Sequence, residues 1–247
     1  MAKTFYYDSV GLTEATITAG TISGTTMTVS AGAITNEEYI IDSSIAQALS
    51  SFGNNDIIRI DFSDVISANF VLHYVKTANS LDFAICKSSH ATNSVSVLAT
   101  DAASTVGWNL NLVAIDTRYV FLASTEGTFA DLTEVIIGTK LDFENEPDIG
   151  GSTQRVFATD TNISLGGVEY ASKRHEAQNG WTLNFKNISE TFKNNLSSME
   201  NKVQDFKKFV YYDGTNYNYV RLANSISFVE VAHQRYSASI KLREQLS

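Results

Sequence analysis

Short stretches of alternating apolar and polar residues fill the first part of this chain and constrain its fold more than any other feature. Ile58, Ile60 and Phe62 alternate with Arg59 and Asp61, which is the period-two pattern of a strand with one buried face. Similar stretches follow at residues 69–75, 80–86, 108–112, 118–123 and 133–138. Ser, Asn, Asp and Gly dominate their connections. Many short strands joined without helices predict a β-sandwich of the jelly-roll type.

A helical period occurs in the second part of the chain. Apolar residues recur there every three or four positions, at Ile188, Phe192, Leu196, Met199, Val203 and Phe206. A single apolar stripe of this kind predicts an amphipathic helix that packs on a sheet. Asn187, with Glu190 three residues later, fits a capping box at the start of this helix. Alternating strands flank it, so the second part predicts an α+β fold with an antiparallel sheet.

Charge and turn residues indicate where the two parts meet. Residues 1–150 hold 6 Lys and Arg against 18 Asp and Glu, whereas residues 151–247 hold 12 against 9. The only proline, Pro147, lies at this change together with Gly150 and Gly151, and these residue types favour turns. We therefore predict a β-sandwich over residues 1–146 and an α+β domain over residues 147–247. A long surface loop inside one domain is the alternative.

Composition excludes several classes of protein. A net charge of −9 does not fit a protein that wraps nucleic acid, because such binding needs clustered Lys and Arg. A single cysteine excludes a disulfide framework, and with four scattered histidines it excludes a zinc-finger type of metal site. No apolar run approaches the roughly 18 residues of a membrane span. The first residues also lack the apolar core of a signal peptide, which predicts a reducing compartment.

The sequence offers no motif typical of catalysis. A G-x-S-x-G nucleophile elbow is absent, and the glycine pairs precede strand-like residues rather than the helix of a phosphate-binding loop. Asp61 with Asp64, or Asp131 with Glu134, could supply the paired carboxyl groups of a glycosidase, but turn carboxylates are usually solvated. We expect no enzyme, no catalytic residue and no cofactor.

Three further polar features have ordinary structural interpretations. His73 lies in an apolar strand and is expected to be a hydrogen-bonded core or edge histidine. Residues 54–56 carry the oxygen ligands that Ca²⁺ prefers, although a polar turn before a strand explains them more simply. Residues 172–176 are predicted as a charged turn. We therefore predict no metal site.

The order of phrases in the first part resembles a known family. Ile-Arg-Ile-Asp-Phe, Val-Leu-His-Tyr-Val, Trp108, Arg-Tyr-Val-Phe-Leu and Thr-Glu-Val-Ile-Ile-Gly follow one another here, as in galactose-binding-like, discoidin-type jelly rolls. The resemblance covers roughly residues 4–143. In such a fold, glycan recognition would use exposed aromatic rings, and Trp108 and Tyr119 are the candidates. Their positions within strands also fit ordinary core residues.

The second part resembles the tail-hub domains of tailed-bacteriophage structural proteins. Trp-x-Leu-x-Phe is followed by a helix, then by Tyr-x-x-Val-Arg-Leu and Tyr-Ser-Ala-Ser-Ile-x-Leu-Arg-Glu, as in distal tail and minor tail proteins. The usual distal-tail order, with the hub domain first, is reversed here. The resemblance implies a non-enzymatic component of the virion tail, made in the host cytoplasm. It would assemble through its C-terminal domain into a homo-oligomeric ring or an adaptor, it would contact other virion tail proteins, and its jelly roll would project.

The assembly interface is expected in the last strands, where Tyr and Arg cluster as they do in interface hot spots. The candidates are Tyr217, Tyr219, Arg221, Arg235 and Tyr236, and an ordinary sheet face is the alternative for them. A second interpretation of the whole chain is an adhesin module that binds a host-surface carbohydrate through its jelly roll.

Overall fold

The chain divides into two compact units. The computed structural model describes residues 3–29, 34, 37–41, 55–76, 82–102, 105–124, 132–148, 153–163 and 169–245. One unit, called the sandwich unit, is Tyr6–Lys140, and the other, called the mixed unit, combines Met1–Phe5 with Leu141–Leu246. The predicted fold class, mostly antiparallel β with one amphipathic helix, is confirmed. Among the described residues, no helix has the length and apolar character needed to cross a bilayer.

Strands account for most of the described elements. In chain order they are β1 (Thr4–Tyr6), β2 (Thr16–Ser23), β3 (Thr26–Val29), β4 (Asp56–Asp61), β5 (Ala68–Val75), β6 (Asp82–Ser88), β7 (Ser96–Ala102), β8 (Gly107–Ile115), β9 (Tyr119–Ser124), β10 (Leu132–Gly138), β11 (Leu141–Asp142), β12 (Thr153–Ile163), β13 (Glu169–Ser189), β14 (Phe209–Tyr212), β15 (Tyr217–Leu222), β16 (Ser227–Ala232) and β17 (Arg235–Glu244). The α-helix, α1, is Glu190–Val203, and Leu12–Glu14 and Glu37–Ile41 are short 3₁₀ helices.

Two antiparallel sheets form the sandwich unit. One has the strand order β3-β2-β4-β9-β6-β7 and the other the order β10-β5-β8. Alternate residues of the central strands point between the sheets, and Ile58, Ile60, Leu122, Val71 and Val135 belong to the main core there. The period-two pattern that predicted these strands is therefore the pattern that builds the core.

The six-stranded sheet is also covered on its second face. Ile57, Cys86 and Phe121 lie in a smaller apolar cluster together with Met27 and Val95. Backbone hydrogen bonds close this cluster: Met27 N donates to Thr92 O at 2.7 Å, and Val95 N donates to Thr25 O at 3.1 Å. The β2–β3 hairpin and the connection after β6 thus cover the face that points away from the main core.

The mixed unit is built on one sheet with the order β11-β1-β14-β15-β17-β13-β12, and β16 pairs with β17 beside this path. The first residues belong to this sheet because Phe5 pairs with Leu141. The ring of Phe5 also packs against Phe143 and Phe209, with centroids 4.7 and 5.5 Å apart. The structure therefore divides the chain twice, between residues 5 and 6 and between residues 140 and 141, whereas charge and Pro147 predicted one boundary after residue 146.

Helix α1 confirms the predicted apolar stripe but not the predicted cap. Phe192, Leu196, Met199 and Val203 are buried, whereas Phe206 follows the helix and is exposed. Ser189 is the N-cap, and its Oγ accepts a hydrogen bond from Phe192 N at 3.1 Å. Asn187 lies two residues earlier, in β13, at a shift in strand register and with a φ of 55°. The capping box at Asn187 was wrong because the chain bends before it enters the helix.

The predicted charged turn at residues 172–176 was also wrong. These residues lie within β13, which pairs with β12 along most of the length of that strand. A polar strand of this kind is held by backbone hydrogen bonds to its neighbouring strand, and it shows no alternation of apolar residues. The sequence pattern therefore could not distinguish this strand from a turn.

His73 is a buried ionisable group in β5. It is 0% exposed, and this burial lowers the pKa of its imidazole to about 3. The unfolded chain binds a proton at this group near pH 6.5, whereas the folded chain does not. The contribution of His73 to stability is therefore fully present above about pH 6.5 and is lost as the pH falls toward 3.

We predict that replacing His73 with leucine flattens the pH dependence of stability. Between about pH 7 and about pH 4.5, the wild-type protein should lose about 2 to 3 kcal/mol more unfolding free energy than His73→Leu does. Urea denaturation followed by circular dichroism at both pH values measures this difference. An equal loss in the two proteins would contradict the assignment of His73 as a neutral core histidine.

A second prediction concerns the observed helix cap. Ser189→Ala should destabilise the protein by about 1 kcal/mol, because Phe192 N loses its hydrogen-bond acceptor. Ser198→Ala is the matched control, since Ser198 is exposed inside the same helix and alanine has the higher helix propensity there. Chemical denaturation of both variants measures the effect. Similar midpoints for the two variants would argue against Ser189 as the cap.

Candidate functional site

The two aromatic residues predicted as glycan contacts lie on different faces of the sandwich unit. Tyr119 packs against the cluster on the outer face of the six-stranded sheet. Trp108 belongs to β8, where the alternate residues Val113 and Ile115 enter the main core, so Trp108 points away from that core on the three-stranded sheet. The structure therefore does not bring Trp108 and Tyr119 together into one site.

Trp108 lies on an apolar surface. It pairs directly with Tyr74 across β5 and β8, and their rings meet edge to face with centroids 5.2 Å apart. Leu112, two pairs further along the same face, is exposed. We call Tyr74, Trp108 and Leu112 the Trp108 surface.

Tyr119 lies in a polar and charged setting. The guanidinium of Arg118 binds the carboxylate of Asp61 in bidentate fashion, with Nε donating at 2.6 Å and Nη2 at 2.9 Å. The same guanidinium lies 5.0 Å from the centre of the Tyr119 ring, and that of Arg59 lies 5.9 Å from it. Asp61 is directly opposite Tyr119 in the register of β4 and β9. We call these four residues the Tyr119 surface.

The Asp61 carboxylate is held in its charged form. The hydrogen bond from Arg118 lowers the pKa of Asp61, and a second bond to Oδ1 from Ser63 N, 2.9 Å long, acts in the same direction. Ser63 has a φ of 67°, which turns its N–H back toward Asp61. The Tyr119 surface therefore presents a fixed anion and two fixed cations at neutral pH.

Arg59 connects this surface to two other segments. Its Nη1 donates to Ala91 O at 3.1 Å, and its Nη2 donates to Thr18 Oγ1 at 3.1 Å. The connection between β6 and β7 is thereby held along the same face of the sheet. Within this connection the side chains of His90 and Asn93 are exposed. This face of the sheet therefore combines an aromatic ring, charged groups and a polar loop.

The sequence analysis missed Arg59 and Arg118 as members of a site, and it considered Asp61 only as one of two paired carboxylates of a glycosidase. The available signal was the alternation in β4, which places Arg59 and Asp61 on the face opposite Ile58 and Ile60. It gave no indication that Arg118, 57 positions after Asp61 in the chain, pairs with it.

The five predicted assembly residues do not form one exposed cluster. Tyr217, Tyr219 and Arg221 alternate on one face of β15, and Tyr219 is only 7% exposed. Tyr236 shares the face of β17 that holds Ala238 and Ile240, where Lys193 of α1 lies 4.8 Å from the centre of its ring. Arg235 is exposed, and its Nη1 is 3.9 Å from Glu144 Oε1. Their role in assembly stays a prediction.

Of the carboxylates considered for catalysis, Asp61 binds Arg118, and Asp131 lies outside the described residues. Asn54, the first residue of the calcium candidate, also lies outside them. Across the part of the chain that the structure describes, no three or more His, Cys, Asp or Glu residues gather as metal ligands.

Comparison with known proteins finds similar solved structures. No protein-family model matches the chain, and no curated protein matches it in sequence. A chitosan-binding module of a chitosanase/glucanase from Paenibacillus sp. IK-5 is 18% identical over 52% of this chain and 96% of its own, with a TM-score of 0.40. A family 32 carbohydrate-binding module of AlyQ, solved with 4,5-unsaturated mannuronic acid, is 19% identical over 57% of this chain and 98% of its own, with a TM-score of 0.40.

A family 89 glycoside hydrolase from Clostridium perfringens is also similar. It is 15% identical over 51% of this chain but only 14% of its own length, with a TM-score of 0.39. The named structures are thus carbohydrate-binding modules and a hydrolase, and none of them is a tail protein. The assignment to a virion tail stays a prediction.

Proposed function

We propose that the sandwich unit binds carbohydrate through the Tyr119 surface. One observation carries the proposal: the ring of Tyr119 lies beside a carboxylate and two guanidinium groups that are fixed in place. Sugar hydroxyls both donate and accept hydrogen bonds, so a site for them needs acceptors and donors side by side. Asp61 supplies acceptors, Arg59 and Arg118 supply donors, and the tyrosine ring supplies apolar surface for sugar C–H groups.

The groups at this surface still have hydrogen-bonding capacity. Arg118 has five N–H groups and uses Nε and Nη2 for Asp61, which leaves the Nη1 hydrogens for a ligand. Its side chain is 42% exposed. Because the ion pair already orders both side chains, binding a sugar there costs less conformational entropy than ordering free side chains would.

The matched variants Tyr119→Ala and Trp108→Ala test this proposal. With chitotriose, galactose and galacturonic acid as probes in calorimetric titrations, we expect Tyr119→Ala to weaken binding at least tenfold, because it removes the apolar surface between the guanidinium groups. Trp108→Ala should bind like the wild type, and Asp61→Asn should bind more weakly because an ionised acceptor is lost. Circular dichroism checks that each variant is folded.

Two results would oppose the proposal. Binding that persists in Tyr119→Ala and disappears in Trp108→Ala would move the site to the Trp108 surface. A wild-type protein that binds none of the probes, nor any glycan of a broad array, would remove carbohydrate binding as a function.

Assembly is a second candidate function, and one observation in the mixed unit favours it. Strand β16 pairs with β17 alone among the described strands, and its side chains Val229 and Val231 are 62% and 55% exposed. An edge strand with free backbone groups and exposed apolar side chains can pair with a strand of another molecule. This arrangement supports a homo-oligomer, including a ring in a virion tail.

Light scattering at two protein concentrations tests the assembly role. We expect a discrete oligomer that dissociates in Val231→Lys, because the introduced charge opposes burial of the strand. Val97→Lys is the matched control, since Val97 is equally exposed on β7, an edge strand of the sandwich unit. A strict monomer at both concentrations would contradict self-assembly through β16.

A further inference from the structure

The sheet of the mixed unit carries an unfavourable pair of like charges. Arg221 of β15 and Arg243 of β17 are directly opposite each other in the strand register. Side chains opposite each other in a sheet share a face, and like charges in such a pair are destabilising. Lys241, two residues from Arg243 in β17, adds a third cation to the same face. Folding alone does not explain why three cations lie side by side on this face, because their repulsion destabilises the sheet.

Neighbouring carboxylates do not neutralise these cations. Arg243 Nε donates to the amide oxygen of Gln178 at 2.6 Å, and Arg221 Nη1 donates to the backbone oxygen of Asp205 at 3.1 Å. Both partners are uncharged, and Lys241 is exposed. None of the three forms an ion pair with a carboxylate in the part of the chain that the structure describes. No direct ion pair among the described residues therefore offsets the charge of these three cations.

A notch in the surface adjoins two of the cations. It has a volume of about 180 Å³. The residues that line it include Gln154, Gly180, Thr182, Ala223, Lys241 and Arg243. Gly180 pairs directly with Arg243 in the register of β13 and β17. Because glycine has no side chain, the space beside the guanidinium stays open.

We propose that this notch binds an oxyanion group, namely a phosphate, a sulfate or a carboxylate. Guanidinium and ammonium groups form charge-assisted hydrogen bonds with such oxygens. The Gln154 amide and the Thr182 hydroxyl add neutral donors, and no carboxylate among the lining residues repels the ligand. A bound anion also offsets the repulsion between Arg221 and Arg243. This site lies in the mixed unit and is independent of the carbohydrate site proposed for the sandwich unit.

Thermal denaturation in the presence of defined anions tests the proposal. The probes are inorganic phosphate, inorganic sulfate and galacturonic acid, each compared with chloride at the same ionic strength. Neutral galactose is the additional control for galacturonic acid. Each probe is tested on the wild type and on the double variant Lys241→Gln with Arg243→Gln. We expect the melting temperature of the wild type to increase with the logarithm of the probe concentration once that concentration exceeds the dissociation constant, since a ligand that binds the native state stabilises it by mass action. The double variant should bind phosphate or sulfate at least about tenfold more weakly than the wild type does.

Two controls separate site binding from other effects. Phosphate and sulfate stabilise many proteins without a site, because they are excluded from the protein surface, but that effect would be equal in the wild type and the double variant. Lys202→Gln, which removes an exposed charge from α1, should respond like the wild type.

Each outcome has a defined meaning. An increase in melting temperature with phosphate or sulfate that is larger in the wild type than in the double variant establishes a site for free oxyanions. A response to galacturonic acid but not to galactose establishes recognition of a carboxylate carried on a sugar. An equal response of the wild type and the double variant to every probe would overturn the proposal.

Discussion

Strand β4 packs against apolar clusters on both faces of the six-stranded sheet. The candidate site lies where the outer of these two faces changes from apolar to charged residues. Ile58 and Ile60 enter the main core, while Ile57 enters the cluster on the other face. Further along that second face come Arg59 and Asp61, whose charges cannot be buried without partners. Hydrogen bonds to Thr18, Ala91 and Arg118 supply those partners. The outer face thereby changes from apolar to charged beside the ring of Tyr119.

The mixed unit shows a similar division between two faces of a sheet. Helix α1 packs its apolar stripe on the unit, and Leu196 and Met199 are completely buried. On β17, Ile240 and Leu242 are buried, whereas the alternating Lys241 and Arg243 belong to the cationic face. Packing explains the first set of residues. Burial of apolar surface does not explain the second set, and the oxyanion proposed above would account for it.

Patterns within a segment predicted much of this fold, whereas pairings between distant segments escaped prediction. The alternation at Ile58 and Ile60 was predicted because it depends on a local period, and so was the part of the helical stripe from Phe192 to Val203. The stripe was predicted to extend from Ile188 to Phe206, which lie outside the helix. Phe5 pairs with Leu141, and no local pattern encodes a partner so far along the chain. The same limit applies to the candidate site: Tyr119 was predicted as a contact, but its neighbours Asp61 and Arg118 meet only through the sheet.

Side-chain NMR can report on carbohydrate binding at the individual residues of the Tyr119 surface. Isotope-labelled protein would be titrated with chitotriose, galactose and galacturonic acid while the arginine Nε–H and tryptophan indole N–H signals are followed. We predict that the Nε–H signals of Arg59 and Arg118 shift in a saturable way with at least one probe, while the indole signal of Trp108 stays unchanged. A saturable shift of the Trp108 signal alone, or the absence of any shift, would contradict carbohydrate binding at the Tyr119 surface.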